Sequence, residues 1–151
     1  RVLFRSSNYV ALDRLDSAKG TLLKLTKSDP NDVDSWIRLG QLVWAQEDLS
    51  GTLLAANRVI NLAPRRHEGH LLAGMVWQKR GETDKALTYF DQAAAVAPDN
   101  TLPLIMRGLA LEKAGRTAAA ADAYNQALRR KPDDERAQKL LTRLSAVDVP
   151  N

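Results

Sequence analysis

Four prolines divide the chain into units of equal length. Pro30, Pro64, Pro98 and Pro132 follow one another at intervals of 34 residues, and no interval contains an insertion or a deletion. A proline interrupts a helix because it lacks the backbone donor and its ring clashes with the preceding turn. A strict repeat of this length therefore indicates helical units that stack on one another in series.

Glycines recur with the same period. Gly40, Gly74 and Gly108 occupy one position in three successive units. Glycine weakens a helix interior, so its recurrence there indicates that a second helix approaches closely. Bulky residues lie four before and three after each glycine. A small residue follows at twelve, and at sixteen an aromatic residue follows in two of the three units, with Ala56 in the other. These columns contain Trp36, His70 and Leu104; Val43, Trp77 and Leu111; Thr52, Ala86 and Ala120; and Ala56, Phe90 and Tyr124.

The columns predict two helices in each unit. Gly81 and Gly115 lie seven residues after the glycine column, where one helix must end and the next begin. The predicted pairs are 1–13 with 16–28, 32–46 with 50–62, 66–79 with 83–96, and 100–114 with 117–130. An amphipathic segment after the last proline predicts one more helix, whose charged outer face suits the end of a stack.

The motif WIRLG at residues 36–40, the motif ALTYF at residues 86–90 and the closing proline resemble the tetratricopeptide repeat family. The resemblance implies an all-α, right-handed α-solenoid of stacked helix–turn–helix repeats. It implies four repeats within residues 1–132 (about 1–30, 31–64, 65–98 and 99–132), a C-terminal capping helix at 133–147 and a tail at 148–151. His70 departs from the pattern, because the family places an aromatic residue there.

The first six residues, RVLFRS, fit the repeat poorly. They also match the translation of CGT GTG CTC TTC CGA TCT, the end of a common sequencing adapter. We hypothesise that residues 1–6 are adapter read-through and that the chain is a fragment of a longer protein. The alternative is a genuine helix that matches the adapter by coincidence.

Few residues suit catalysis. The chain has no cysteine and only two histidines, and its isolated glycines do not form a phosphate-binding loop. His67 and His70 flank Glu68 and could share a helix face, but no third metal ligand is evident. His70 also occupies the bulky packing column, so a structural role is the plainer interpretation. We therefore predict no catalytic residues, no metal and no cofactor.

The charge pattern does not indicate a polyanion partner. The net charge is only +4, and basic and acidic residues alternate in the most charged stretch, RRKPDDER at residues 129–136. We therefore do not expect nucleic-acid binding. No apolar run approaches the roughly 18 residues that span a bilayer. The sequence does not indicate a compartment.

The resemblance also implies a binding groove, because in this family the first helix of each pair lines a concave surface that holds a partner segment. Four positions around each glycine correspond to that surface. Of the residues at these positions in the three units, we name ten the predicted stripe: Ile37, Gln41, Trp44, Leu71, Met75, Gln78, Leu102, Ile105, Leu109 and Glu112. The other two are Asp34 and Glu68, at its edge.

The composition of the stripe favours an apolar partner. Family members that grip a C-terminal carboxylate use Lys, Arg and Asn, whereas Leu71, Met75 and Leu109 are apolar. An apolar floor with acidic edges at Asp34 and Glu68 suits an amphipathic helix or an apolar extended segment. The alternative is that these side chains pack against neighbouring helices.

Together these features predict a non-catalytic scaffold that binds a protein or peptide of unknown identity. Two other hypotheses remain open. The chain could assemble with further copies of itself as a homo-oligomer, or it could be the targeting or regulatory arm of a larger enzyme or secretion component.

Overall fold

Eight α-helices follow one another in the computed structural model, which describes the backbone of residues 2–147 and the side chains of residues 14–146. They are α1 Val2–Ser28, α2 Val33–Ala45, α3 Leu49–Leu62, α4 His67–Lys79, α5 Thr83–Val96, α6 Leu102–Lys113, α7 Thr117–Arg130 and α8 Glu135–Val147. No strand occurs in that part of the chain. The predicted all-α solenoid is confirmed. Arg1 and the predicted tail at 148–151 lie outside the described residues.

Three helix pairs match the predicted bounds to within two residues: α2 with α3, α4 with α5, and α6 with α7. Each helix packs against the one before it and the one after it, so the pairs stack in series. Most of their bounds were predictable because glycine and proline end helices through local geometry, whereas the turn at Glu47 was placed by the 34-residue period alone. The final helix α8 packs on α7, where the sequence predicted a cap.

The first unit differs from the prediction. The predicted break between helices at residues 14–15 is wrong, because α1 is one continuous helix from Val2 to Ser28. In the other units the turn contains a residue with positive φ, namely Glu47 at 59°, Gly81 at 81° and Gly115 at 73°. The equivalent position of the first unit is Asp13, and neither glycine nor proline occurs between residues 8 and 19. The first unit therefore lacks the helix-ending glycine that the third and fourth units have, although the turn at Glu47 forms without one.

The glycine column lets an aromatic ring from the second helix of a pair lie directly on the backbone of the first. A Cβ atom added at Gly74 would lie 2.5 Å from Cε1 of Phe90, and one added at Gly108 would meet the ring of Tyr124. Both rings are fully buried. A side chain in place of either glycine would separate the two helices.

A second repeated contact ties α2, α4 and α8 to the proline that precedes each of them. Nε1 of Trp36 donates to the carbonyl oxygen of Pro30 at 2.9 Å, and Nε2 of Gln138 donates to that of Pro132 at 2.7 Å. Nε2 of His70 lies 2.9 Å from the carbonyl oxygen of Pro64. That oxygen can only accept, so Nε2 of His70 carries the proton. His70 is buried, and its structural role is confirmed.

The last helix is anchored by a buried carboxylate. Asp134 precedes α8 and accepts hydrogen bonds from the backbone N–H of Arg136 and of Ala137, which caps the helix N-terminus. The hydroxyl of Thr101 at the start of α6 donates to the same carboxylate. The hydrogen bond from the Arg136 side chain holds the pKa of Asp134 well below its usual range. Asp134 therefore joins two units as an ionised group.

Candidate functional site

The first helices of neighbouring pairs lie side by side. Helix α2 contacts α4, and α4 contacts α6, whereas the second helices α3, α5 and α7 make no comparable contact with one another. The first helices therefore share one surface of the stack. All ten residues of the predicted stripe lie on these three first helices, α2, α4 and α6, at helical spacing.

Eight of the ten stripe residues keep part of their surface exposed. Gln41 is exposed, and seven others are half-buried: Trp44, Leu71, Met75, Gln78, Leu102, Leu109 and Glu112. Ile37 and Ile105 are only 6% and 4% exposed and pack within core clusters. These two residues belong to the interior, which corrects the predicted set. A partner could not reach them without opening the stack.

The apolar residues of the stripe pack against the core with part of each side chain and expose the rest to solvent. Leu71 and Met75 on α4 contact the core cluster that contains Phe90 and Ala110, and Met106 of α6 contacts the same cluster. Their inner atoms therefore support the stack, while their half-buried state leaves outer atoms in contact with solvent. The alternative that these side chains serve only in packing is accordingly only partly right.

The acidic residues predicted at the edge of the stripe, Asp34 and Glu68, both form ion pairs with one arginine. Nη2 of Arg66 lies 3.0 Å from Oδ1 of Asp34 and 3.1 Å from Oε1 of Glu68. Burial works to raise the pKa of Glu68, but hydrogen bonds from Arg66 and from the backbone outweigh it, so that the pKa is lowered. Both carboxylates are therefore already paired with Arg66, which weakens their attraction for a cationic partner.

Glu112 is paired in the same way at the other end of the stripe. Arg143 of α8 donates to both of its oxygens, at 2.7 and 2.8 Å, and the Tyr124 hydroxyl donates at 3.0 Å. Burial and the hydrogen bond to Glu112 raise the pKa of Tyr124 well above its usual range. The hydroxyl therefore keeps its proton, and Glu112 holds α8 against α6 and α7.

Trp44 opens onto a small cavity. The cavity has a volume of about 290 Å³, and its walls are Trp44, Ala45, Glu47, Leu49 and Lys79. Nζ of Lys79 lies 3.4 Å from Oε1 of Glu47 across this end of the stack. The stripe thus ends in a polar recess that is large enough for one or two side chains.

A larger cavity lies on a different surface, which the sequence analysis did not identify. Its volume is about 730 Å³, and it is lined by Trp36, Ser50, Leu53, Leu54, Asn57, Arg58 and Arg80. Most of these residues lie on the outer face of α3, and none belongs to the predicted stripe. One signal was available in the sequence, because Leu54 is an apolar residue among the polar positions of that helix face.

The two histidines do not converge on a common point. Nε2 of His67 lies 3.0 Å from Nδ2 of Asn100, and its Nδ1 lies 3.4 Å from Oε2 of Glu68. The ring of His70 is held by Pro64 and by Gln92 instead. Within residues 14–146, no group of three or more His, Asp or Glu side chains is arranged to hold a metal ion. None of the described helices has the length and apolar character that crossing a membrane requires.

Comparison with known proteins agrees with this architecture. The family model for the tetratricopeptide repeat matches residues 5–67 and 71–135. The tetratricopeptide repeat and J domain-containing co-chaperone DNJ1 of Fusarium oxysporum f. sp. lycopersici (strain 4287 / CBS 123668 / FGSC 9935 / NRRL 34936) is 45% identical over 67 residues. That match covers 44% of this chain and 13% of the relative, so the chain corresponds to a small part of it.

Two of the solved structures that share the fold illustrate the likeness. The crystal structure of MamA superimposes with a TM-score of 0.78 at 19% identity, over 93% of this chain and 82% of MamA. The first TPR of Spaghetti (RPAP3), which is bound to the HSP90 peptide SRMEEVD, superimposes with a TM-score of 0.69 at 15% identity. This match covers 76% of the present chain and 94% of the RPAP3 domain. The repeat columns, the stacked helix pairs and the family match agree. The chain belongs to the tetratricopeptide repeat family.

Proposed function

We propose that the chain is a non-catalytic scaffold that binds an apolar or amphipathic segment of a partner protein along the predicted stripe. One observation carries the proposal. Leu71, Met75, Leu102 and Leu109 are half-buried on a shared surface of α4 and α6, where each has apolar atoms left to bury. Burial of such atoms contributes roughly 25 cal/mol per Å² removed from water.

The chemistry of the stripe favours an apolar ligand over a carboxylate. The basic side chain at its C-terminal edge, Arg143, is already bound to Glu112, and the middle positions are aliphatic or methionine. Methionine adapts to differently shaped surfaces because it is unbranched and polarizable. The RPAP3 domain shows that this fold can hold a peptide, and the present chain would hold one of different composition.

The residues also argue against catalysis at this surface. The chain has no thiol, and the ring nitrogens of His70 face Pro64 and Gln92 instead of solvent. General acid–base chemistry needs a titratable group within reach of a substrate. The paired carboxylates at the stripe edges instead support helix stacking.

Selection of displayed peptides tests the proposal. Random peptides of about 16 residues, long enough for four helical turns, are selected on the purified chain, and their affinity is measured by fluorescence anisotropy. The variants Met75→Lys and Leu109→Lys should each weaken binding by at least about tenfold, because each places a charge in the apolar row. The control Thr88→Lys adds the same charge at an exposed position of α5 and should bind as the unaltered chain does.

Circular dichroism separates loss of binding from loss of folding. If both stripe variants keep their helicity and bind the selected peptides as tightly as the control, the stripe is not the binding surface. If no peptide is enriched on the unaltered chain, the scaffold proposal fails in this form. The hypothesis that the chain is the arm of a larger protein stays a prediction.

Self-association is a second candidate, and exposed leucines on α1 favour it. Leu23 and Leu25 are each 48% exposed, although most leucines of the described helices are buried or half-buried. A second copy could cover them. Light scattering should then show a mass that rises with concentration and that falls to the monomer value in Leu23→Glu/Leu25→Glu. A concentration-independent monomer would exclude this candidate.

A further inference from the structure

We propose that the outer face of α3 is a second docking site, which binds a short segment of a partner protein containing an apolar residue flanked by acidic residues. The site is the cavity of about 730 Å³ over α3. It is distinct from the predicted stripe, with which it shares no residue. The proposal depends on three features: an exposed apolar floor, two positioned arginines and the length of the cavity.

Leu54 forms the exposed part of the floor. Its side chain is 58% exposed, beside Leu53 and the edge of Trp36 in the cavity wall. The opposite face of α3 packs inward through small residues such as Ala55 and Ala56, so most of the Leu54 side chain lies outside the packed core. An exposed leucine in an open cavity is a surface that an apolar side chain can cover.

The two arginines of the cavity are held on tryptophan rings. The guanidinium carbon of Arg58 lies 5.6 Å from the centroid of the Trp36 ring, and that of Arg80 lies 5.2 Å from the Trp77 ring. These distances are typical of cation–π contacts, which restrict the side chains without using their N–H donors. Both guanidinium groups are therefore positioned for a further partner.

That partner is a carboxylate. No carboxylate oxygen of residues 14–146 lies within 4.0 Å of either guanidinium, and no acidic residue lines the cavity. By contrast, Arg66, Arg116 and Arg143 are each paired with an acid of a neighbouring unit. Arginine binds carboxylates through paired, charge-assisted hydrogen bonds, so an acidic group complements this site.

The length of the cavity limits the segment. Helices α2 and α4 run antiparallel to α3, which places Arg58 at one end of the cavity and Arg80 near Ser50 at the other. The helix rises about 12 Å along its axis over the eight steps from Ser50 to Arg58. An extended peptide covers about 3.3 Å per residue, so about four residues span this distance. The segment would place one acidic residue at each end and apolar residues between them.

A depletion selection tests this site. Random displayed peptides of about eight residues, twice the length of the cavity, are first depleted on the Leu54→Asp variant and then selected on the unaltered chain. Because Leu54 is exposed, this variant should fold, which circular dichroism checks. The surviving peptides should contain acidic residues flanking Leu, Ile or Phe.

Titration of one enriched peptide completes the test. Arg80→Gln should weaken its binding by at least about tenfold, and salt should weaken it further. The control Arg65→Gln removes the same charge from an exposed loop position outside the cavity and should leave the affinity unchanged. Three results would overturn the proposal. The selection could enrich neutral or basic peptides, it could enrich no peptide after depletion, or Arg80→Gln and Arg65→Gln could lose the same amount of affinity. Tight binding that Met75→Lys abolishes would assign the peptide to the stripe instead, and would equally overturn it.

Discussion

Replacement of Gly74 by alanine should destabilise the protein, although alanine is the better helix former. In an unconstrained helix interior the change would stabilise by about 1 kcal/mol. At Gly74 the new Cβ would lie 2.5 Å from Cε1 and 2.7 Å from Cδ1 of Phe90, a ring with no exposed surface. Overpacking of a rigid core costs about 1 to 3 kcal/mol, and a contact this short belongs at the upper end. We therefore expect a net loss of about 2 kcal/mol.

The assay is urea denaturation followed by circular dichroism, with Gly20→Ala as the matched control. An added Cβ at Gly20 meets nothing within 4 Å, so this helix should gain up to about 1 kcal/mol. A Gly74→Ala/Phe90→Leu double variant should recover part of the loss, because leucine lacks the ring atoms that the Cβ would meet. If Gly74→Ala is as stable as the unaltered chain, close approach does not explain the glycine column.

Two further predictions concern the anchoring of α8. Asp134→Asn should lose about 1 to 2 kcal/mol at neutral pH, because the ionised carboxylate accepts hydrogen bonds from Arg136 and from the N-terminus of α8. The pKa of Asp134 is lowered by folding, so its contribution is present above the ordinary aspartate range and is lost as the pH falls below about 4. Urea denaturation curves of the two proteins should therefore converge at low pH, and a constant difference would contradict the reasoning. Arg143→Ala should cost no more than about 1 kcal/mol, because its pair with Glu112 is partly exposed. Amide hydrogen exchange should nevertheless accelerate in α8 and stay unchanged in α4, and uniform acceleration would count against this local role.

The binding surfaces were only partly predictable. Spacing placed Leu71 and Ile105 on the same stripe, but Leu71 is half-buried and Ile105 is 4% exposed. Helical periodicity defines a face, whereas the packing of neighbouring helices decides how deep each residue on that face lies. The arginines of the α3 cavity were not predictable for the same reason. Arg58 and Trp36 are 22 residues apart in the sequence, and only the antiparallel pairing of α2 and α3 brings them together.

The sequence by itself determined the fold class, the repeat length and the bounds of six paired helices. It could do so because glycine and proline act through local backbone geometry at most of the helix ends, and because the contact of a glycine with an aromatic ring recurs at Gly74 and Gly108. Tertiary structure alone decided the burial of Ile37 and Ile105 and the position of the α3 cavity. Each of these depends on side chains from different helices, and a one-dimensional spacing does not specify how closely those helices approach.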